Sequence, residues 1–158
     1  MKGAGKMIEI ESHSPEDTYE LGIKLGENLK PGDIICLNGD LGAGKTTMTK
    51  GIAKGLKIDD NITSPSFTIV NEYYGDTDFY HFDAYRIDDI EEMYDLGYEE
   101  YFFSDGISII EWSNMIEEIL PKERLVLNIK YSKEEDKRII EIEAYGHRYE
   151  ELLKEVGI

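Results

Sequence analysis

Hydrophobic and polar positions in the first third of the chain follow two different periods. Residues 7–12 alternate apolar and polar side chains, which predicts a β-strand with one solvated face. Residues 15–29 carry leucines on one helical stripe, and Ser14 before Pro15 is typical of a helix start. The apolar run at residues 33–38 predicts a buried strand, and residues 47–56 repeat apolar side chains at helical spacing. Strand, helix, strand and helix in this order predict an α/β fold.

The rest of the chain changes to strand-rich patterns separated by short helices. We predict an antiparallel hairpin turning at Gly75, short acidic helices, a second buried strand that ends in a carboxylate, two late strands and a closing helix. These elements span residues 63–74, 78–86, 88–96, 98–103, 106–112, 125–131, 138–145 and 147 onward. The predicted fold is therefore a mixed sheet with a mostly parallel core and an antiparallel hairpin, flanked by helices.

A glycine-rich loop joins the second predicted strand to the helix that follows it. Residues 39–46 read GDLGAGKT and match the phosphate-binding pattern GxxxxGK[ST], in the strand–loop–helix context that this pattern requires. Its glycines let backbone N–H groups surround an anion, and the helix dipole favours negative charge there. A plain glycine turn before a helix is the less favoured alternative. The predicted nucleotide-binding residues are Gly39, Asp40, Leu41, Gly42, Ala43, Gly44, Lys45, Thr46 and Thr47.

Two side chains of this loop and one distant acid predict a P-loop NTPase-like site. Lys45 would reach the β- and γ-phosphates of a nucleotide, and the Thr46 hydroxyl would bind Mg²⁺. P-loop hydrolases also need an acid at the end of a neighbouring strand, and Glu111 fits that place. Asp is the usual residue there, so direct and water-mediated contact of Glu111 with Mg²⁺ both stay open. A plain strand-end glutamate is the alternative reading.

The segment HFDAYR at residues 81–86 offers a second acid. In a strand, His81, Asp83 and Tyr85 would share one face, so Asp83 could orient the attacking water or join the metal shell. Arg86 could bind a phosphate, or it could form a structural ion pair with Asp83. His81 is interpreted as a hydrogen-bonded, partly buried imidazole, since no second His or Cys stands at metal-ligand spacing.

Length and composition limit the classes of protein that remain. A chain of 158 residues with a single cysteine predicts one domain at residues 7–158 in a reducing cytoplasm, preceded by a disordered lead-in at residues 1–6. We expect no membrane partner, because no apolar run approaches the length of a membrane span. Residues 58–121 hold seventeen acids and one cation, Arg86. This charge disfavours unaided binding to nucleic acid and favours a basic protein partner, or it merely serves solubility.

Four sequence blocks together resemble one family. They are LNGDLGAGKTT at residues 37–47, SPSFTIV at 64–70, YHFDAYR at 80–86 and IEWS at 110–113. In order and spacing they are similar to TsaE, formerly YjeE, the small bacterial ATPase family of tRNA threonylcarbamoyladenosine biosynthesis. The first block is common to many NTPases, whereas the other three together are specific. Position 66 is Ser where the family usually has Thr.

The resemblance implies a function, cofactors and partners. It implies Mg²⁺-dependent ATP hydrolysis, with Thr46 and Glu111 at the metal, Asp83 and Trp112 required for turnover, and residues 64–70 as a switch loop. It also implies that Arg138 lies on the nucleotide side. The implied partners are the TsaB and TsaD proteins, which form a complex. ATP hydrolysis would reset this complex between turnovers, and tRNA would be contacted only indirectly through it.

Two other functions remain open from the residues. A small-molecule P-loop kinase would use Asp83 as the base for a substrate hydroxyl, but such kinases usually place several cations near the γ-phosphate. A non-hydrolysing, nucleotide-sensing adaptor would bind ATP without turnover. Because no Asn-Lys-x-Asp stretch is present, ATP is preferred over GTP as the nucleotide.

Overall fold

One mixed β-sheet organises the chain. The structure is a computed structural model that describes residues 5–40, 42–65 and 67–158. Its strands are β1 (Lys6–Ser12), β2 (Ile34–Gly39), β3 (Val70–Tyr73), β4 (Phe79–Asp83), β5 (Ile107–Glu111), β6 (Arg124–Tyr131) and β7 (Arg138–Tyr145). Across the sheet their order is β1-β7-β6-β2-β5-β4-β3.

The centre of the sheet is parallel and its edges are antiparallel. Strands β6, β2, β5 and β4 run parallel, while β7 pairs antiparallel with both β6 and β1, and β3 pairs antiparallel with β4. The predicted fold class is thereby confirmed. The register aligns Leu37 of β2 and Asp83 of β4 with Glu111 of β5. The carboxyl ends of three parallel strands therefore meet at one edge, where open α/β sheets bind their ligands.

Helices cover both faces of the sheet. They are α1 (Pro15–Asn28), α2 (Lys45–Gly55), α3 (Glu91–Leu96), α4 (Tyr98–Phe102) and α5 (His147–Val156). Helices α1, α2 and α5 bury one apolar cluster against the sheet, and α3 and α4 help to bury a second cluster on the opposite face. Strand β2 is buried on both faces, which explains why its sequence is apolar without alternation.

Helices α1 and α2 approach each other through glycines. A Cβ atom on Gly22 would lie 2.6 Å from the Met48 carbonyl oxygen, and one on Gly51 would lie 2.3 Å from the Tyr19 carbonyl oxygen. Such distances leave no room for a methyl group. The spacing of the glycines in both helices therefore lets α1 pack tightly against α2, the helix that begins at the phosphate-binding loop.

Helix α5 ties the C-terminal segment to the start of β2. Arg148 donates from Nε and Nη2 to the two carboxylate oxygens of Asp33, at 3.1 and 2.8 Å, and from Nη2 to the Asn28 carbonyl. The Tyr149 hydroxyl accepts a hydrogen bond from the Ile34 N–H at 2.8 Å. These contacts satisfy polar groups at the buried beginning of the central strand.

Most predicted elements are present, with shifts of a few residues at their ends. The Ser14 cap is confirmed by the 3.1 Å hydrogen bond that its Oγ accepts from the Asp17 N–H. Strand β1 begins at Lys6, and residues 1–4 of the predicted lead-in lie outside the described residues. The division into lead-in and domain stays a prediction. No helix of the described residues is both long and apolar enough to span a bilayer.

Two parts of the secondary-structure prediction are wrong. The first hairpin strand begins at Val70, so the described residues between 63 and 69 lie outside the sheet. Strand β4 ends at Asp83, so Tyr85 lies in a turn instead of sharing a strand face with His81. In addition, a 3₁₀ segment at Ser113–Ile119, interrupted at Ile116, was not predicted. Its residues pack by tertiary contact on the sheet and carry too little helical periodicity to be recognised.

Candidate nucleotide-binding site

The loop between β2 and α2 has the backbone geometry that its glycines allow. Gly42 and Gly44 have φ values of 78° and 121°, which side chains with a Cβ rarely adopt. A Cβ on Gly39 would lie 2.6 Å from the Ile129 carbonyl oxygen, so close packing against β6 also requires glycine there. Gly44 is the N-cap of α2 and has no capping side chain. The loop therefore presents backbone N–H groups and the positive end of the helix dipole to the cavity.

Lys45 lies buried beside this loop and is only 6% exposed. Its Nζ donates to the Gly39 carbonyl at 2.5 Å and to the Asp40 carbonyl at 2.8 Å. The same ammonium lies 4.3 Å from the ring centroid of Trp112. Burial lowers the Lys45 pKa, while the negative charges of Glu111, Asp83 and Asp40 oppose that change. Lys45 is thus a buried cation in a cavity that Asp83 and Glu111 also line.

Glu111 ends β5 and is almost fully buried at 2% exposure. Its Oε1 lies 3.5 Å from the Thr46 hydroxyl, and its Oε2 lies 3.2 Å from the Thr49 hydroxyl and 2.5 Å from Nε2 of His81. The predicted proximity of Glu111 to Thr46 is therefore present. His81 is fully buried, whereas the sequence predicted partial burial.

Asp83 stands beside Glu111 at the end of β4. It is partly buried, and this burial raises its pKa, while the Tyr85 N–H, which donates to Asp83 Oδ1 at 3.0 Å, lowers the pKa. The raised pKa and the position next to Lys45 are typical of an acid or base in an active site. Trp112 follows Glu111 in a left-handed conformation, φ 58°, and packs against Tyr85 at 4.7 Å between ring centroids.

These side chains surround one cavity of about 240 Å³. Its walls contain residues from the loop, from α2, from the segment before β3 and from the ends of β4 and β5. They are Gly42, Gly44, Lys45, Thr46, Thr47, Ser64, Asp83, Glu111 and Trp112. All four predicted catalytic residues and both predicted metal ligands are among them. Gly39 and Asp40 contact Lys45, Ala43 lines the neighbouring cavity, and Leu41 lies outside the described residues.

Arg138 lies on the other side of the loop. It lines a smaller cavity of about 90 Å³ together with Gly42, Gly44 and Thr47, and its guanidinium stacks 4.4 Å from the Tyr131 ring centroid. The two cavities thus share loop residues. Arg138 is placed so that it could contact the part of a bound nucleotide that lies away from Asp83 and Glu111.

The segment predicted to act as a switch borders both the cavity and a neighbouring groove. The Ser64 hydroxyl lies 3.5 Å from the Thr46 hydroxyl, and Ile69 has a φ of 68°, which is unfavourable for a β-branched residue. Position 66 lies outside the described residues. Arg86 lines the groove and not the cavity, with its guanidinium 5.4 Å from the Phe67 ring centroid. No ion pair between Arg86 and Asp83 is found within the described parts of the chain.

The oxygen atoms at the cavity suit Mg²⁺. A hydroxyl from Thr46 and a carboxylate from Glu111 face each other, and Mg²⁺ prefers oxygen ligands and usually keeps waters and substrate phosphates as its remaining ligands. Within residues 5–40, 42–65 and 67–158, no group of three or more His, Cys, Asp or Glu side chains is arranged to hold a metal.

Sequence reasoning missed one contact residue and one connection. Thr49 is absent from the predicted site residues, although a hydroxyl one helical turn after Thr46 faces the same neighbouring strand. The link between His81 and Glu111 was also missed, because the two residues lie thirty positions apart and only the parallel pairing of β4 with β5 brings them together.

A family model, related sequences and a solved structure each match most of the chain. The family model described as "Threonylcarbamoyl adenosine biosynthesis protein TsaE" matches residues 12–140. A protein from Bacillus subtilis called tRNA threonylcarbamoyladenosine biosynthesis protein TsaE is 45% identical over 153 residues, which covers 96% of this chain and 95% of that protein. A protein of the same name from Haemophilus influenzae is 45% identical over 110 residues, covering 69% of this chain and 68% of that protein. The crystal structure of YdiB from Bacillus subtilis superposes with a TM-score of 0.80 at 41% identity, covering 98% of this chain and 96% of that chain.

Proposed function

The chain belongs to the TsaE family, and from this premise we propose that it acts in threonylcarbamoyladenosine biosynthesis on tRNA as a Mg²⁺-dependent ATPase. ATP hydrolysis by this chain resets a complex of the TsaB and TsaD proteins between turnovers, and the chain itself transfers no threonylcarbamoyl group. We place it in the cytoplasm with that complex.

One observation supports this proposal above the others. The glycine loop, Lys45, Thr46, Asp83 and Glu111 come from three separate parts of the sequence and line a single cavity at the carboxyl edge of the parallel strands. That combination supplies an anion cradle, a cation for the phosphates, oxygen ligands for a divalent metal and a carboxylate near the phosphate end.

Each residue of the cavity has a separate role in the proposed hydrolysis. The loop N–H groups hold the phosphates, and Lys45 leaves the Gly39 and Asp40 carbonyls to contact phosphate oxygens. Thr46 and Glu111 would hold Mg²⁺, and that ion would neutralise charge on the phosphates. Asp83 orients the attacking water, and the pKa raised by burial makes it a better proton acceptor.

The charge distribution supports dependence on a protein partner. Lys45 is the only Lys or Arg among the residues that line the 240 Å³ cavity, whereas efficient phosphoryl transfer usually uses additional cations. The acids between residues 58 and 121 favour contact with a basic protein surface and disfavour direct contact with tRNA. We therefore propose weak hydrolysis alone and faster hydrolysis with partners.

A reconstituted modification reaction tests the proposal. TsaB, TsaD, tRNA and the threonylcarbamoyl donor are incubated with and without this chain and ATP, and modified adenosine per complex is counted. We expect several turnovers with the chain and about one without it. Phosphate transferred to an added metabolite would instead support a kinase, and stably bound ATP without phosphate release would support an adaptor.

A further inference from the structure

His81 contacts Glu111 in a buried pair, and the proposed ATPase chemistry assigns His81 itself no direct role. We propose that His81 is a positioning residue, whose Nε2–H anchors one oxygen of Glu111 so that the other oxygen faces Thr46 and the metal. This inference rests on the proposed function, because it assigns a role to the metal site of that function.

The two oxygens of Glu111 have different surroundings. Oε2 lies 2.5 Å from His81 Nε2 and 3.2 Å from the Thr49 hydroxyl, so two possible donors face it. Oε1 has only the Thr46 hydroxyl, at 3.5 Å, among the contacts of the described residues. The carboxylate is therefore held by one oxygen and presents the other to the cavity.

The position of the imidazole proton follows from burial. Nδ1 of His81 is buried and has no hydrogen-bond partner among the described residues. A sole proton on Nδ1 would leave a buried N–H unsatisfied and would place the Nε2 lone pair against a carboxylate oxygen. With the proton on Nε2, the 2.5 Å contact becomes a charge-assisted hydrogen bond. His81 is therefore a donor to Glu111.

Thr49 does not replace this anchor. Its hydroxyl carries one proton and lies 3.0 Å from the Lys45 carbonyl oxygen, closer than the 3.2 Å to Glu111 Oε2. When Thr49 donates within its own helix, His81 alone holds Oε2.

The location of His81 makes the anchor rigid. The residue has no exposed surface, and its ring lies parallel to Phe79 at 6.5 Å between centroids. It stands in β4 two residues before Asp83, so one strand places both the anchor for Glu111 and the second acid. A carboxylate bound to a metal is typically oriented by such an outer hydrogen bond, whose loss costs about 10–100-fold in metal affinity.

Mg²⁺ titration of nucleotide binding tests the inference. Binding of a non-hydrolysable ATP analogue is measured by calorimetry over a series of Mg²⁺ concentrations for wild type, His81→Phe and His81→Gln. Phe removes the donor and keeps an aromatic ring, whereas the Gln amide nitrogen reaches about as far as Nε2. We expect His81→Phe to raise the half-maximal Mg²⁺ concentration about 10–100-fold. His81→Gln should restore most of the wild-type value, and nucleotide binding without Mg²⁺ should stay unchanged in both.

Ser108→Ala is the matched control. Ser108 is also a fully buried polar residue, on the neighbouring strand β5, and its hydroxyl has no partner among the described residues. Its removal should leave the Mg²⁺ midpoint unchanged. If His81→Phe does not fold, His81→Asn replaces it, because the shorter Asn amide cannot reach Glu111. The inference then requires a shifted Mg²⁺ midpoint for His81→Asn and a near-normal midpoint for His81→Gln.

The outcomes separate the two levels of the proposal. An unchanged midpoint in His81→Phe, or equal weakening with and without Mg²⁺, overturns the role of His81 and leaves the ATPase intact. If nucleotide binding by the wild type does not depend on Mg²⁺, the metal site of the proposed function is overturned. The inference about His81 is then overturned with it.

Discussion

Asp83 and Glu111 are register partners at the ends of two neighbouring parallel strands. Both line the cavity beside the phosphate-binding loop, and Lys45 is the cation between them and the loop. Two acids in one half-buried cavity are unfavourable for stability and useful for binding a metal and directing a water.

Replacing Asp83 by Asn should stabilise the protein at neutral pH while abolishing partner-stimulated hydrolysis. Burial raises the Asp83 pKa, so ionised Asp83 costs stability, and Asn can still accept from the Tyr85 N–H. The native state binds the proton more tightly than the unfolded chain does. The wild type should therefore gain stability relative to Asp83→Asn as the pH falls through the raised pKa toward the ordinary value of 3.8.

Thermal and urea unfolding of both proteins over a pH series measures this difference. A stability difference between them that stays constant from pH 7 to pH 4 would contradict the account of Asp83.

Trp112 fluorescence should report nucleotide binding. Trp112 is the single tryptophan, and the Lys45 ammonium lies over its ring at 4.3 Å. Because ATP phosphates attract that ammonium away from the ring, we expect the emission to change on addition of ATP and Mg²⁺. Lys45→Met should show altered emission before nucleotide is added and no response at concentrations that saturate the wild type. Identical responses of the two proteins would rule out the proposed movement of Lys45.

Gly51→Ala should destabilise the fold. The added methyl would lie 2.3 Å from the Tyr19 carbonyl oxygen, so α1 and α2 must separate, and we expect a loss of about 1–3 kcal/mol in the free energy of unfolding. Lys50→Ala, at the exposed neighbouring position of the same helix, is the control and should change stability by less than about 0.5 kcal/mol. Urea denaturation compares them, and equal stability of both variants would refute the tight helix contact.

Arg148→Met should also destabilise the fold, because it removes the charged partner of a buried carboxylate. It leaves Asp33, which is only 4% exposed, without the two hydrogen bonds from the guanidinium. Loss of one partner from a buried pair costs about 3–5 kcal/mol, and the partial exposure of Arg148 favours the lower end. Lys154→Met on the exposed face of the same helix should be nearly neutral. Equal unfolding midpoints for the two variants would show that the Arg148 contacts are dispensable.

The sequence was sufficient for the features that depend on local patterns. The strand–loop–helix around Gly39 to Thr46, the Ser14 cap and the two-faced burial of β2 all follow from residue type and spacing. It was insufficient where pairing across the sheet decides the result. The contact of His81 with Glu111 depends on the register of β4 with β5, and the position of Tyr85 depends on where β4 ends.

The switch segment illustrates a second limit. Its β-rich composition around Phe67 and Ile69 predicted a strand, yet Ile69 takes a left-handed conformation before β3 begins. Local propensity favoured extension, but Ser64 of this segment lies beside Thr46 and the segment stays outside the sheet. The two acids of the site were predicted by type and order, but their relative placement required the sheet.

Partner-stimulated phosphate release tests the central claim most directly. With ATP, Mg²⁺, TsaB and TsaD present, release is compared for wild type, Lys45→Ala, Glu111→Gln and the surface control Lys50→Ala. Loss of Lys45 or of the Glu111 charge should lower the rate on the order of a hundredfold or more, while Lys50→Ala should match the wild type. Wild-type rates in Lys45→Ala and Glu111→Gln would contradict the assignment of this cavity as the ATPase site.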